Sequence, residues 1–443
     1  MMTIEELWND IHKRARHRGD SVIIDIIIQN GIPIVERRRC TCIVLFQALK
    51  ENNIANMLFG YFNEPTLRLV FEELAEVPSD VVETTDGNAF AALTEGGRVV
   101  TLGDVEYGGD SSRVEEKLAS GVVMVVATES AFAAVISGGQ VVTWGDEWDG
   151  GDSSAVAGEL VSGVEKVVAT TYAFAAVISG GQVVTWGNPY SGGDSSAVAG
   201  ELASGVVEVV ATWGAFAAIT KGGRVVTWGD ANVGGDSSGV AGELASSVVR
   251  VVATNLGAFA ALKEGGRVVT WGSAQHGGDS REVAEEVASG VVEVVATWSA
   301  FVAVTEGGRV VTWGGGGWGE WGRDSSEVAG KVVVRVVATG CAFAAITEGG
   351  QVVTWGLKKL GGDSSGVAGE LASGVVEVVA ADDAFAAVTE GGRVVTWGHA
   401  QYGGDSSRVA GELASGVVEV VVVSKRRFAA RKDDGQIVEW GGE

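Results

Sequence analysis

A motif of 24 residues recurs nine times between about residue 80 and the end of this chain. One copy is Val206–Gly229, VVEVVATWGAFAAITKGGRVVTWG. Its phenylalanine returns six times after 42 residues and twice after 43, at Phe90, Phe132, Phe174, Phe216, Phe259, Phe301, Phe343, Phe385 and Phe428. The tryptophan of the closing Trp-Gly keeps the same period, with Leu102 in the first copy, at Trp144, Trp186, Trp228, Trp271, Trp313, Trp355, Trp397 and Trp440. Such a period is typical of solenoids, propellers and arrays, which bury a core by stacking units.

Each copy predicts three antiparallel strands. The runs VVEVVAT, AFAAIT and RVVTW are rich in Val, Ala and Thr, and a tight Gly-Gly turn separates the second from the third. The runs are apolar on both faces, so we expect each sheet to be covered on both sides. The tryptophan series occupies one fixed strand position, which predicts a role in the structural core.

A Gly-Gly-Asp-Ser-Ser sequence and a VAGELAS-type segment connect one set of strands to the next. Its aspartate is suited to cap a short helical or irregular segment, at Asp110, Asp152, Asp194, Asp236, Asp279, Asp324, Asp363 and Asp405. The first segment of this kind is Val70–Ala75. We therefore expect nine modules over residues 70–443.

Residues 1–69 differ in character and predict a small α/β domain. Thr3–Arg18 reads as a helix with a capping box, and Asn30-Gly31 between apolar runs predicts a hairpin. The basic residues near the end of that helix fit either a solvated, dipole-complementing helix end or a docking patch.

The net charge of −25 is concentrated in the repeats, because residues 1–70 hold nine basic and eight acidic side chains. An acidic body repels phosphate and anionic membranes, which makes nucleic acid an improbable partner and favours a protein or peptide, in particular a basic one. No stretch approaches the ~20 apolar residues of a membrane span, and no signal-peptide pattern begins the chain.

Three cysteines, Cys40, Cys42 and Cys341, form no disulfide framework and fit structural thiols in a reducing compartment. The expected location is the cytoplasm, with the nucleus possible. The four histidines show neither metal-ligand spacing nor a catalytic grouping, so we expect no cofactor, no metal and no enzymatic activity.

Differences between copies are concentrated in two turns. One is the pair of residues before Ala-Phe, and the other is the four residues after Trp-Gly; in an antiparallel meander both lie at the same end of the sheet. Aromatic side chains are frequent there, at Tyr107, Trp148, Tyr172, Tyr190, Trp213, Trp298, Trp318, Trp321 and Tyr402. They fit a recognition surface, since Tyr and Trp are enriched in interface hot spots. They also fit neutral drift of turns, with some rings capping the strands beneath.

The pattern V-x-x-V-x-x-x-x-x-F-A-A-V-T-x-G-G-x-V-x-T-W-G-x-x-x-x-G resembles the repeat of the regulator of chromosome condensation family, a β-propeller. The resemblance covers about 84% of the chain. It departs from the family in having alanine (Ala89, Ala131, Ala173) where histidine is common before the second strand, and Gly-Gly-Asp-Ser in place of Gly-Gln-Leu-Gly. The modules are also shorter and more numerous than is usual, which implies a ring of more, smaller blades or an open superhelix.

These observations favour a mainly β, propeller-like ring of about nine 42-residue modules that serves as a non-enzymatic scaffold for a protein or peptide. By family resemblance alone, the alternative is a regulatory accessory such as a guanine-nucleotide exchange factor or a ubiquitin-ligase component. The founding member's exchange activity depends on features outside the generic repeat, so no catalytic residue is carried over. A self-associating array is a further, structural alternative.

Overall fold

The computed structural model describes residues 78–85, 87–94, 96–316 and 324–442. They form nine three-stranded antiparallel sheets, each made of three consecutive strands, which confirms the mainly β fold and its nine repeated units. We number the modules 1 to 9 by the order of their sheets. The α/β domain predicted for residues 1–69 and the Val70–Ala75 segment lie outside the described residues and stay predictions.

The strands recur with the period of the sequence. The first strands are Pro78–Glu83, Val122–Ala127, Val164–Ala169, Val206–Ala211, Val248–Thr254, Val291–Ala296, Val333–Ala338, Val375–Ala380 and Val417–Ser424. The middle strands are Ala89–Thr94, Ala131–Ile136, Ala173–Ile178, Ala215–Thr220, Ala258–Lys263, Ala300–Thr305, Ala342–Thr347, Ala384–Thr389 and Arg427–Lys432. The third strands are Val99–Gly103, Gln140–Gly145, Gln182–Gly187, Val225–Gly229, Val268–Gly272, Val310–Gly314, Val352–Gly356, Val394–Gly398 and Ile437–Gly441.

The chain divides into two compact units. The first ends at Ser162 and contains modules 1 and 2; the second begins at Gly163 and contains modules 3 to 9. Within each unit, successive sheets pack face to face as expected for propeller-like modules, whereas closure of the nine modules into a ring stays a prediction.

The core lies between neighbouring sheets. Ala215, Ala217 and Ile219 of module 4 pack against Phe259 and Ala261 of module 5 in one cluster of buried side chains. Because successive side chains of a strand point to opposite faces, the intervening residues Phe216 and Ala218 of module 4 pack against module 3. Each internal sheet therefore buries both faces, which explains why its strands are apolar throughout.

A stacked aromatic pair recurs in each sheet from module 2 to module 9. The phenylalanine of the middle strand lies opposite the tryptophan of the third strand, with ring centroids 5.2–5.4 Å apart. All eight tryptophans of the series are buried. The indole also joins modules: Nε1 of Trp228 donates to the carbonyl of Gly192 in module 3, at 3.0 Å. The same bond joins Trp144 to Gly108, Trp271 to Gly234, Trp313 to Gly277, Trp397 to Gly361 and Trp440 to Gly403.

The uniform Gly-Gly turn also joins successive modules. Gly223 has φ +69°, and a Cβ there would lie 2.8 Å from the backbone nitrogen of Ser247. Its carbonyl accepts a hydrogen bond from the backbone N–H of Val248, the first residue of the next module's first strand. The turn is held constant because a side chain would occupy the space of the next module's backbone.

Each connection from one module to the next contains short helices and a hydrogen bond between a serine and a threonine hydroxyl. In each connection the first serine of Asp-Ser-Ser bonds to the threonine of the third strand, as in Thr143–Ser153 at 2.9 Å. The aspartate accepts from the backbone N–H two residues later, as in Asp194–Ser196 at 2.9 Å, so it caps the segment as expected. The α-helices are Glu115–Leu118 and Ala199–Leu202, and Glu147–Gly151 is a π-helical turn. The 3-10 helices are Val105–Tyr107, Ser112–Val114, Ser154–Val156, Pro189–Ser191, Ser196–Val198, Ala231–Val233, Ser238–Val240, Ala274–His276, Arg281–Val283, Ser326–Val328, Lys358–Leu360, Ser365–Val367, Ala400–Tyr402, Ser407–Val409 and Glu412–Ala414.

The capping aspartates predict a loss of stability in acid. The backbone N–H of Ser196, and then its hydroxyl, hold the pKa of Asp194 below its ordinary value of 3.8, and seven equivalent aspartates shift in the same direction. Because the folded-state pKa is depressed, this stabilisation is fully present above the ordinary pKa of 3.8 and is lost as the pH falls through the folded value. We expect urea unfolding at pH 3 to show a smaller difference between Asp194→Asn and the wild type than at pH 6. An unchanged difference would contradict the assignment.

Candidate functional site

The two variable turns of a module lie side by side. The first residue after Trp-Gly donates its N–H to the carbonyl of the residue before Ala-Phe, as in Asp230 to Gly214 and Asn188 to Tyr172, both at 2.9 Å. The Gly-Gly turn lies at the other end of the same strands. We call the end that carries both turns the variable end.

A buried threonine holds the two turns together. Thr212 Oγ1 accepts the N–H of Ala215 at 3.1 Å and donates to the carbonyl of Val233 at 3.1 Å, so one hydroxyl holds both turns. Thr128, Thr170, Thr254 and Thr339 make the same two bonds. The backbone of these turns is therefore fixed while their side chains differ between modules.

Within modules 3 to 9, a row of backbone hydrogen bonds links the first variable turn of each module to that of the next. The bonds join Thr171 to Trp213, Trp213 to Asn255, Leu256 to Trp298, Trp298 to Gly340, Gly340 to Asp382 and Asp382 to Lys425, at 2.7–3.1 Å. In modules 1 and 2 the N–H of Thr85 donates instead to the carbonyl of Thr128, the turn-holding threonine, at 3.3 Å. Side chains of different chemistry are thereby presented one module after another from a rigid row.

The predicted aromatic residues differ in exposure. Trp148 is 72% exposed, Tyr190 84%, Trp213 42% and Trp298 40%. Tyr107 and Tyr402 pack partly against core clusters, and Tyr172 is half-buried. Trp318 and Trp321 lie outside the described residues. Four of the nine therefore present a large aromatic surface to solvent.

The side chain of Trp298 packs against Gly340 of the next module, where there is no side chain to displace it. A Cβ at Gly340 would lie 2.8 Å from Cε2 of Trp298, so the indole lies directly against the backbone of the next module. Beside it, a groove of about 350 Å³ is lined by residues of modules 5 to 9, including Asn255, Asp382 and Lys425. The open face of the indole borders this groove.

The charge of the variable end changes along the chain. In modules 1 and 2 its turns carry Asp104, Glu106, Glu129, Asp146, Glu147 and Asp149. Burial raises the pKa of Asp149, and nearby Asp146 and Glu129 add to the rise. In modules 7 to 9 the same turns carry Lys358, Lys359, Lys425 and Arg426. The variable turns are therefore acidic in modules 1 and 2 but carry cations in modules 7 to 9, although the chain as a whole is strongly acidic.

Module 8 contains a buried titratable pair that the sequence did not indicate. Asp383 is 9% exposed, and neither its Oδ1 nor Nδ1 of His399 has a hydrogen-bond partner. Burial chiefly, and then Asp382, raises the pKa of Asp383, while His399 and Arg426 lower it. This module has Ala381 where modules 1 to 7 have threonine and module 9 has Ser424. Asp383 and His399 lie apart in the sequence, so the sequence does not show that they pack together. The absence of threonine at position 381 is the one local sign that this turn differs from the others.

The one cysteine among the described residues is not a candidate nucleophile. Burial, together with the charge of Asp383, raises the pKa of the Cys341 thiol to about 12. A thiol is a nucleophile only as thiolate, which is scarce there near neutral pH. Within the described ranges, no group of three or more His, Cys, Asp and Glu side chains is arranged to hold a metal ion. None of the helices described is long and apolar enough to cross a membrane.

Comparisons with known proteins establish no family. No family model and no curated protein sequence matches. Similar solved structures include the CRINKLY WD40 ectodomain of the Arabidopsis thaliana receptor kinase ACR4, 14% identical over 63% of this chain and 96% of that chain, with a TM-score of 0.32. The computationally designed Ika8 protein is 10% identical over 72% of this chain and 96% of its own, with a TM-score of 0.32.

Prp20p of Saccharomyces cerevisiae, a structure reported with its binding properties to Gsp1p and histones, is 16% identical over 61% of this chain and 70% of its own, with a TM-score of 0.32. A second structure containing this protein, in complex with Kap60, names it yeast RCC1. TM-scores this low do not establish a function for the present chain.

Proposed function

We propose that this protein is a non-enzymatic scaffold that binds a protein or peptide at its variable end. The observation that supports this most is the pairing of a fixed backbone with changing side chains. Thr212 and its equivalents hold the turns, and the hydrogen-bonded row from Thr171 to Lys425 aligns them. Rigid presentation lowers the conformational entropy lost on binding.

Exposed tryptophans at this end would supply the central contacts. Trp213 and Trp298 occupy the same place in modules 4 and 6, with Asn255 of module 5 between them in the hydrogen-bonded row. Each is about 40% exposed, which is a large apolar area to leave in water. Buried Trp anchors often dominate binding energy. The acidic turns of modules 1 and 2 would favour a basic segment in a partner.

The experiment is selection of binding peptides from a displayed random library on the full chain, followed by affinity measurements with two variants. We expect Trp213→Ser/Trp298→Ser to weaken binding of the selected peptides by about 2 kcal/mol or more, as for hot-spot residues. The matched control is Val207→Ser/Val292→Ser. These valines are each 55% exposed and lie near the starts of first strands, toward the Gly-Gly end.

Circular dichroism of both variants should match that of the wild type, because the four side chains are exposed. Equal losses of affinity in the two variants would refute binding at the variable end. Peptides that bind equally well after loss of both tryptophans would show that Trp213 and Trp298 have no recognition role.

A further inference from the structure

Four cationic side chains at the variable end of modules 7 to 9 form no ion pair within hydrogen-bonding distance in the part of the chain that the structure describes. Lys358, Lys359, Lys425 and Arg426 are exposed, and none makes a side-chain hydrogen bond or ion pair among the described residues. By contrast, Arg224, Arg267, Arg309 and Arg393, which lie in Gly-Gly turns, each pair with a glutamate. Unpaired cations are notable in a chain with a net charge of −25.

Arg426 is held in place by an aromatic ring. Its guanidinium carbon lies 5.0 Å from the ring centroid of Tyr402, and the rings of Tyr402 and His399 form a T-shaped pair with centroids 5.0 Å apart. A guanidinium on a ring face keeps its in-plane N–H groups free to donate to a carboxylate. Arg426 is thus pre-oriented as a donor without being neutralised.

The repeat brings the other cations to the same region. The carbonyl of Lys425 accepts the N–H of Asp382 at 3.1 Å, which places Lys425 at the end of the groove that Trp298 borders. Successive loops after Trp-Gly also touch: the N–H of Gly316 donates to Gln275 of the preceding loop. Lys358 and Lys359 occupy the equivalent loop of module 7, and the loop of module 8 that follows it carries His399 and Tyr402.

The nearby acids do not cancel this charge. Asp383 is 9% exposed, so little of its carboxylate faces an incoming ligand. Its pKa is raised by burial, which disfavours the ionised form. Asp382 is the other acid in these turns. Hydrogen bonds from Ser365, helped by the charge of Lys358, lower the pKa of nearby Asp363. The four cations still outnumber Asp382 and Asp363. Modules 1 and 2 carry acidic residues at the corresponding turns, so this basic patch is local.

We propose that the basic patch formed by Lys358, Lys359, Lys425 and Arg426 binds an acidic peptide segment of a partner protein. Carboxylates would pair with these cations, and the groove beside Trp298 would take the adjoining backbone and an apolar side chain. Charge complementarity selects this partner, while the repulsion of the acidic chain as a whole disfavours long polyanions such as nucleic acid. The patch is distinct from Trp213 and from the acidic turns of modules 1 and 2.

The test uses the full chain and a fluorescein-labelled twelve-residue peptide rich in Glu and Asp with a central Leu, followed by fluorescence anisotropy. We expect saturable binding that weakens as salt is added, because exposed charges are screened. The same peptide with Gln and Asn in place of its acids should bind at least about tenfold more weakly, as loss of several charge pairs predicts.

Two variants with the same change in net charge locate the site. Lys358→Ser/Lys359→Ser/Lys425→Ser/Arg426→Ser should raise Kd by about tenfold or more. Lys166→Ser/Lys221→Ser/Arg250→Ser/Arg408→Ser removes four exposed cations elsewhere and should change Kd by less than about twofold.

Equal weakening in both variants would show a general charge effect and overturn the proposal, as would failure of the acidic peptide to bind. Equally tight binding of single-stranded DNA would overturn the peptide as partner. Self-association of the chain in sedimentation that disappears in the patch variant would show a second copy to be the occupant instead. The Trp213 surface is tested separately with selected peptides. Because Trp298 borders the groove as well, the patch is judged by its four-cation variant, whose failure leaves the Trp213 surface untouched.

Discussion

Replacing Trp228 by alanine should destabilise the second unit by about 3–5 kcal/mol, the usual cost of removing a large buried aromatic side chain. Trp228 is 4% exposed and stacks on Phe216 with centroids 5.2 Å apart. Its Nε1 also satisfies the carbonyl of Gly192 in the preceding module, at 3.0 Å. The substitution therefore creates a cavity and leaves a buried carbonyl without its donor.

Two controls separate these effects. Trp228→Phe retains a ring but loses the indole donor, so its cost should be intermediate and should include about 1–3 kcal/mol for the unsatisfied carbonyl. Trp148→Ala removes a tryptophan that is 72% exposed and should change stability by no more than about 0.5 kcal/mol.

The measurement is urea unfolding, combined with hydrogen exchange resolved along the chain. Because modules in a repeat array contact mainly their neighbours, exchange should accelerate most in modules 3 to 5. Uniform acceleration across modules 3 to 9, or an equal cost for Trp148→Ala, would contradict the role assigned to Trp228.

Replacing Gly192 by alanine should have the second large effect, about 2–5 kcal/mol from backbone strain and overpacking combined. Gly192 has φ +97°, which an L-residue rarely adopts, and a Cβ there would lie 2.6 Å from Cδ2 of Phe216. The ring has little room to move, because Phe216 is fully buried and stacked on Trp228.

Gly200→Ala is the matched control. Gly200 lies in the helix Ala199–Leu202, and no atom lies within 4 Å of a Cβ there. It should be neutral or stabilise by about 0.5–1 kcal/mol, since alanine is the better helix former. Urea unfolding of both variants measures the difference. Similar stabilities of the Gly192→Ala and Gly200→Ala variants would show that Gly192 is not constrained by Phe216 of the next module.

Much of the fold can be predicted from the sequence because the same pattern of strands and turns recurs in every module. Nine copies of the same apolar runs and glycine turns indicate nine sheets, which is correct. Coverage on both faces holds for the internal sheets, whereas the last sheet leaves Val421, Val423 and Ile437 exposed. What the repeat does not indicate is how modules join. The indole of Trp228 and the carbonyl of Gly192 are 36 residues apart, and this contact depends on how neighbouring sheets pack, which periodicity leaves open.

The sequence predicts where the variable turns lie, but not the local charge and burial of the residues in them. The meander places both variable turns at one end, and the hydrogen bond between Asp230 and Gly214 places them side by side. The net charge predicted an acidic surface throughout, whereas Lys425 and Arg426 show that local charge depends on the residues of each turn. The burial of Asp383 was not predictable, because it depends on packing against neighbouring modules.

The most direct test of recognition at the variable end is site-specific photo-crosslinking to a peptide selected on the full chain. Benzoylphenylalanine would replace either Asn255, which is exposed in the row between Trp213 and Trp298, or Lys221, which is exposed in a Gly-Gly turn. A covalent adduct formed from position 255 and absent from position 221 is the predicted result. Crosslinking from position 221 alone would place recognition at the uniform end and contradict the account.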